Sequence, residues 1–185
     1  MDRFYLDKND VLLLIVDIQE RLVPAMKPDV KDAVFKNCGH LIELSKMLNI
    51  PTVLTEQYPK GLGPTVNEIK DLLPEYRPIA KLTFSCCEEP DFLREIKKLN
   101  KKTIILAGME THICVLQTCI GLLKEGFNVH LVSDAVCSRA KANWRTAIEF
   151  MRDAGAVITC TETVLFQLLK VAGTEEFKTI SKRIR

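Results

Sequence analysis

The sequence predicts an α/β protein, a three-layer αβα sandwich in which helices cover both faces of a six-stranded parallel sheet. Three observations carry this. Short apolar runs without alternation recur along the chain. The first is VLLLIV at 11–16, the pattern of a strand buried on both faces. Between such runs lie segments with apolar residues at the helical period. Strand and helix alternate throughout the 185 residues, with no linker, repeat or low-complexity stretch, so 1–185 reads as one domain.

Taken in order, the first strand is 11–16. A helix over 29–48 follows, with Asp29 as its cap and Ala33, Val34, Leu41, Leu44 and Leu48 along one face. Pro51 precedes a second strand at 52–54, and a long Pro- and Gly-containing loop leads to a short third strand at 79–80. The spacing of Phe92, Ile96 and Leu99 predicts a helix over 91–100. TIILA at 103–107 is a fourth strand, rich in β-branched residues. The helix over 113–125 is apolar nearly all round and stops at Gly126, so it lies in the core or in a subunit interface. A fifth strand at 128–132 precedes an amphipathic helix at 141–154, whose apolar face holds Trp144, Ala147, Ile148 and Met151. A sixth strand at 156–158 and two helical stretches complete the chain. Right-handed crossovers and the usual doubly wound order give a Rossmann-like sheet, 3-2-1-4-5-6.

Composition excludes several classes. A net charge of +2 is too small to argue for nucleic acid or an anionic membrane surface. The basic end from Lys178 reads as the solvated side of a helix whose apolar side is Phe177, Ile180 and Ile184. The longest wholly apolar run is strand-length, so no membrane span is expected. Residues 1–10 lack the apolar stretch of a signal peptide, which points to a cytoplasmic protein. The seven cysteines are odd in number and contain no C-x-x-C pair, so neither a disulfide framework nor a zinc cage is indicated.

In this architecture ligands bind beyond the carboxyl ends of the strands, at the crevice between the first and fourth. Asp17 ends the first strand, and the fourth runs through Gly108 to Cys114. Cys114 falls in the first turn of a helix, where the macrodipole favours a thiolate and lowers the thiol pKa. Core packing is its competing reading. His112 is two residues away and faces elsewhere, while His40 and His130 read as structural. Asp17 is the better base. Lys81 follows the third strand, an edge strand two removed from the first; on spacing alone it reads as a solvated surface lysine, and it must reach inward to stabilise Asp17 or the thiolate.

Four segments then carry a resemblance: V-D-I-Q at 16–19, T-E-Q-Y-P-K-G-L-G at 55–63, A-K-L-T-F-S at 80–85 and G-M-E-T-H-I-C-V at 108–115. In order and separation the first, third and fourth resemble the three signature segments of the isochorismatase-like (cysteine hydrolase) superfamily. The second resembles its subgroup of isochorismatase domain-containing and related bacterial hydrolases, and the similarity runs over about 10–169. The resemblance implies a catalytic triad of Asp17, Lys81 and Cys114. It also implies a cis peptide between Met109 and Glu110, and an oxyanion hole from the backbone N–H groups of Glu110 and Cys114. The expected chemistry is hydrolysis of a small amide or related C–N bond through a thioester. Gln19, Glu56, Gln57, Tyr58 and Thr111 adjoin these motifs as candidates to line the pocket; a surface loop is the competing reading for Glu56, Gln57 and Tyr58.

Nicotinamidases of this superfamily add a metal held by an Asp-x-His pair and a further His. The only histidine between Asp17 and Lys81 here is His40, so no metal and no cofactor are expected. Glu110 stands where a small residue is usual; its side chain is expected to point to solvent, with disfavouring of anionic substrates as the competing reading. Cys119 reads as packing, and Cys86 and Cys87 as thiols without partners. The expected partners are a small-molecule substrate and further copies of the chain. The alternative class is a non-catalytic or redox-responsive oligomer that keeps the fold.

Overall fold

The computed structural model describes residues 2–184. Its strands are β1 (Val11–Val16), β2 (Thr52–Gln57), β3 (Ile79–Lys81), β4 (Thr103–Met109), β5 (Asn128–Cys137) and β6 (Val157–Thr159). They form one six-stranded, all-parallel sheet in the order β3-β2-β1-β4-β5-β6. β1 and β4 lie at the centre and are buried along their whole length.

Alternation of side chains assigns each central strand to two cores. Val11, Leu13 and Ile15 pack with Ile105 and Ala107 on one face, against Leu41, Ile42 and Leu44 of α1 (Pro28–Met47). Leu12, Leu14 and Val16 pack with Ile104 and Leu106 on the other. That second face is covered by α4 (Pro90–Lys98), α5 (Leu116–Lys124) and α6 (Lys141–Asp153), reached through Phe92, Ile96, Leu122, Ile148 and Met151. Two short helices, α2 (Pro59–Leu62) and α3 (Asn67–Lys70), interrupt the long loop after β2. At the C-terminus α7 (Thr161–Leu169) and α8 (Glu175–Arg183) return to the α1 face, with Val164, Leu165, Leu168 and Ile180 in its core. Ile180 is fully buried and Phe177 meets Phe166 edge-on, as the apolar side of the terminal helix predicts; Arg185 lies outside the described residues.

The structure differs from the sequence pattern chiefly at strand ends. β2 continues past Leu54 to Gln57, because Thr55, Glu56 and Gln57 pair with β3. β5 continues past Val132 to Cys137 through a register shift opposite Leu106–Gly108. Asp29 does not cap α1: Pro28 takes the first position, and Asp29 sits in the first turn without a side-chain cap bond. The segment after β4 is not a regular helix from 113. Thr111–Val115 forms a π-helical turn, in which Val115 N–H donates to Glu110 O at 3.3 Å, and α5 begins only at Leu116. Trp144 is half-buried on its helix, with Nε1 donating to Ser133 O at 3.2 Å.

Two glycines fix the approach of these parts. Gly108 has φ +121°, and a Cβ there would lie 2.1 Å from Val16 O, so only glycine lets β4 end this close to β1. A Cβ on Gly121 would meet Cys87 Cβ at 2.8 Å, so α5 also depends on glycine to seat against the turn at Cys86–Glu88.

Candidate active site

The site lies at the carboxyl ends of β1, β2, β3 and β4. Asp17 is the first residue beyond β1 and takes the left-handed conformation, φ 52°, which is uncommon outside glycine but less so for Asp. Its carboxylate is fully buried. Thr55, level with the end of β1, donates through Oγ1 to Asp17 Oδ1 at 2.7 Å. Lys81 Nζ lies 2.7 Å from Asp17 Oδ2 in an ion-pair contact whose angle is not that of an aligned hydrogen bond. The Lys81 side chain is 1% exposed and that of Asp17 0%. The edge-strand lysine does reach inward. It stands beside Gln57 in the β2–β3 register, and its ammonium is held by Gln57 Oε1 at 2.6 Å, Thr83 O at 3.2 Å and Phe84 O at 3.3 Å.

Cys114 occupies the π-turn and is 6% exposed. Its thiol faces the same Gln57 Oε1 at 4.0 Å. The three side chains therefore converge from three separate segments. Burial pushes the Cys114 thiol up from its ordinary range; the Asp17 charge adds to this and Lys81 opposes it. This corrects the expectation from helix position alone. Burial in the π-turn removes the solvation a thiolate needs, and the Asp17 charge acts in the same direction. Burial by itself would lower the Lys81 pKa, but Asp17, Cys86 and Cys114 carry it above its ordinary value.

The remaining expected residues divide. Met109–Glu110 is a cis peptide. Glu110 does not point to solvent: its side chain is 5% exposed, Oε1 lies 3.4 Å from Arg139 Nε and Oε2 accepts Arg139 N–H at 3.0 Å. Its charge is thus turned onto the loop after β5. Gln57 contacts Lys81 and Cys114, whereas Gln19 and Glu56 lie behind it. Gln19 is fully buried and clamps the Gln57 peptide, accepting from N–H at 2.8 Å and donating to the carbonyl at 2.9 Å. Glu56 accepts from Thr65 N–H, Thr65 Oγ1 and the Tyr76 hydroxyl. The surface-loop reading fails for Glu56 and Gln57, which are buried strand residues, and fits Tyr58, which is 51% exposed. Thr111 is fully buried and its Oγ1 has no hydrogen-bond partner among the described residues.

His112 turns away, with Nδ1 2.9 Å from Ser138 Oγ and Nε2 3.3 Å from Asn143 Nδ2. His130 Nε2 lies 2.8 Å from Arg3 O. Cys119 is buried in the core. Cys86, in contrast, has partners: its N–H donates to Thr118 Oγ1 at 3.0 Å and its thiol to Thr55 Oγ1 at 3.8 Å. Burial, then Asp17, pushes that thiol up to about 11. Thr55 and Cys86 are the site neighbours that sequence reasoning misses. The signal for Thr55 was its place in T-E-Q, level with Asp17 once β2 is extended. No group of three or more His, Cys, Asp or Glu side chains is placed to hold a metal ion among the described residues.

An open parallel sheet with a thiol, a carboxylate and an ammonium meeting at its switch point defines a doubly wound α/β protein with a candidate site in its ligand crevice. The chain belongs to the isochorismatase family: the Isochorismatase domain model matches residues 11–163. It is 40% identical over 181 residues to the secreted isochorismatase effector Isc1 of Phytophthora sojae (strain P6497), covering 94% of this chain and 84% of the relative. Among solved structures it is similar to MAR1 ribonuclease of Caenorhabditis elegans, with 37% identity, a TM-score of 0.89 and coverage of 97% and 92% of the two chains. It is likewise similar to YcaC of Escherichia coli, described as an octameric hydrolase of unknown specificity, with 30% identity, a TM-score of 0.88 and coverage of 97% and 90%. YcaC of Pseudomonas aeruginosa, solved with hexane-2,5-diol and covalent acrylamide, gives 31% identity, a TM-score of 0.90 and coverage of 97% and 91%.

Proposed function

We propose that this protein is a cysteine-dependent hydrolase that cleaves a small amide or related C–N bond through a thioester. The observation that carries this is the Asp17–Lys81 ion pair, both side chains at most 1% exposed, converging on the Cys114 thiol. A fully buried ion pair is costly to desolvate and contributes little to stability, so its presence in the ligand-binding crevice favours a chemical role.

In the resting site the thiol is protonated and Asp17 is the adjacent acceptor. As Cys114 Sγ forms its bond to the substrate carbonyl carbon, its proton passes to Asp17, and the carbonyl π electrons move to oxygen. Lys81 stays near both sulfur and carboxylate while charge moves between them. We assign the N–H groups of Glu110 and Cys114 to the resulting oxyanion; one such donor is worth about a hundredfold to a thousandfold in rate. The C–N bond then breaks, Asp17 returns the proton to nitrogen, and the amine leaves. Water attacks the thioester with Asp17 again taking a proton, which is returned to the departing Cys114 sulfur, and the free acid is released. No step calls on a metal or cofactor. The covalent acrylamide in the Pseudomonas relative fits a small amide close to a nucleophile in this fold.

A ribonuclease reading follows the Caenorhabditis relative. The near-neutral net charge of +2 and an enclosed triad favour a small uncharged substrate over a polyanion. We further infer a homo-oligomer, in line with the octameric relative and the half-buried Ile113, Leu116, Ile120 and Leu123 of the Cys114 segment; light scattering tests this. Seven free cysteines suit a reducing cytoplasm, which cell fractionation tests. The function itself is tested by screening small amides, ureas and carbamoyl compounds against wild type and Cys114→Ala. Hydrolysis by wild type alone is expected; equal hydrolysis by Cys114→Ala overturns the proposal.

A further inference from the structure

The Gln57 side chain contacts both Lys81 and Cys114, and its own position is fixed by further hydrogen bonds. Its Nε2 donates to Leu82 O at 2.8 Å, which leaves Oε1 no choice but to face the site. There Oε1 accepts from Lys81 Nζ at 2.6 Å and stands 4.0 Å from Cys114 Sγ. The backbone is held as firmly: Gln19 bonds both the N–H and the C=O of Gln57 and ties them to Gly63 O at 2.7 Å. Gln57 is 8% exposed. An amide serves where a carboxylate would not, because it accepts from the ammonium without adding a negative charge beside the sulfur.

We infer that Gln57 is a positioning residue that holds the Lys81 ammonium between Asp17 and Cys114, with Gln19 as the clamp that fixes it. This rests on the triad reading above. Lys81 has three N–H donors and four acceptors around it, Asp17 Oδ2, Gln57 Oε1, Thr83 O and Phe84 O. Without Gln57 the ammonium can settle on Asp17 and the loop carbonyls, away from the sulfur. The thiolate that forms during attack then loses its nearest cation.

The test is the alkylation rate of Cys114 by iodoacetamide in the full chain, resolved by peptide mass spectrometry over a pH series. The partly exposed Cys160 is the internal control. Gln57→Leu removes the acceptor, and Gln57→Glu keeps the shape while adding charge. Both are expected to slow Cys114 labelling by about tenfold, the equivalent of one charge-assisted hydrogen bond. In Gln57→Glu the labelling profile also moves to higher pH by about one unit or more, as a like charge within reach requires. Cys160 labelling is expected to stay unchanged. A merely structural role gives the opposite sign, since loosening the site exposes a buried thiol and speeds its labelling. Unchanged or faster labelling in Gln57→Glu overturns the inference, whatever Gln57→Leu does. Asp17→Asn separates this from failure of the triad. Removing the base that takes the Cys114 proton during attack is expected to slow Cys114 labelling by about a hundredfold or more. Unchanged or faster labelling there means that the triad fails. Slower labelling in Asp17→Asn while the Gln57 variants match wild type means that only the Gln57 role fails.

Discussion

Cys114 and Cys119 lie five residues apart on one continuous segment, and both are buried. Around Cys119, in α5, there is only packing, and burial alone pushes its thiol up to about 12. Cys114, in the π-turn, is raised by burial too, but a carboxylate, an ammonium and an amide oxygen surround it. Desolvation makes both thiols poor anions at rest. Only one has a neighbour able to take its proton and a cation able to follow the charge. On the proposed mechanism, reactivity belongs to the crevice between β1 and β4 and not to the thiol or its helix.

The comparison breaks first at the thiols themselves. Cys114→Ala is expected to remove turnover, by at least about a thousandfold, with an unchanged melting temperature. Retained turnover, or loss of the folded state, would place Cys114 with Cys119 as packing. Alkaline pH tests what the two share. Folded-state values above the unfolded ones for Cys38, Cys86, Cys87, Cys114, Cys119 and Cys137 mean that the unfolded chain gives up protons first. Stability is full below the ordinary thiol value and falls as pH rises beyond it, by up to about 1.4 kcal/mol per pH unit for each fully buried thiol. Urea midpoints taken upward from about pH 8 should fall steadily, and a flat series would contradict the burial assigned to these groups.

What separates the two regions is tested next. Lys81→Met leaves the Asp17 carboxylate buried without its cation and should cost about 3–5 kcal/mol by chemical denaturation. A neutral effect would mean that water reaches Asp17. Gly108→Ala places a methyl against Val16 O in a backbone that disfavours side chains, and should cost about 1–3 kcal/mol while lowering turnover through the misplaced π-turn. Cys119→Ala completes the series, at about 1 kcal/mol with turnover intact.

Much of this is legible in the sequence where one physical signal dominates. VLLLIV and TIILA mark the central strands because their unbroken runs of six and four apolar residues suit burial on both faces. Gly126 and Gly155 mark helix ends for a reason local to their positive φ. The switch point follows from strand order, and with it the neighbourhood of Asp17 and Cys114. Lys81 is not readable in that way: its inward path depends on Gln57 and on carbonyls of the loop at Thr83 and Phe84, spacing alone favours a surface lysine, and the resemblance decided for it. The polar continuation of β2 hid Thr55 and Gln57 as strand residues, since T-E-Q has no apolar period. The solvent-facing expectation for Glu110 failed because its partner, Arg139, is 29 residues away and enters by the unforeseen extension of β5. Long-range polar pairing is what periodicity cannot show.

The most direct test is to catch the acyl-enzyme. Wild-type protein mixed with any amide it turns over, quenched in acid within milliseconds and mapped by peptide mass spectrometry, should carry the acyl mass on Cys114 and on no other cysteine. A rapid burst without that mass, or the same mass on another residue, would contradict a thioester at Cys114.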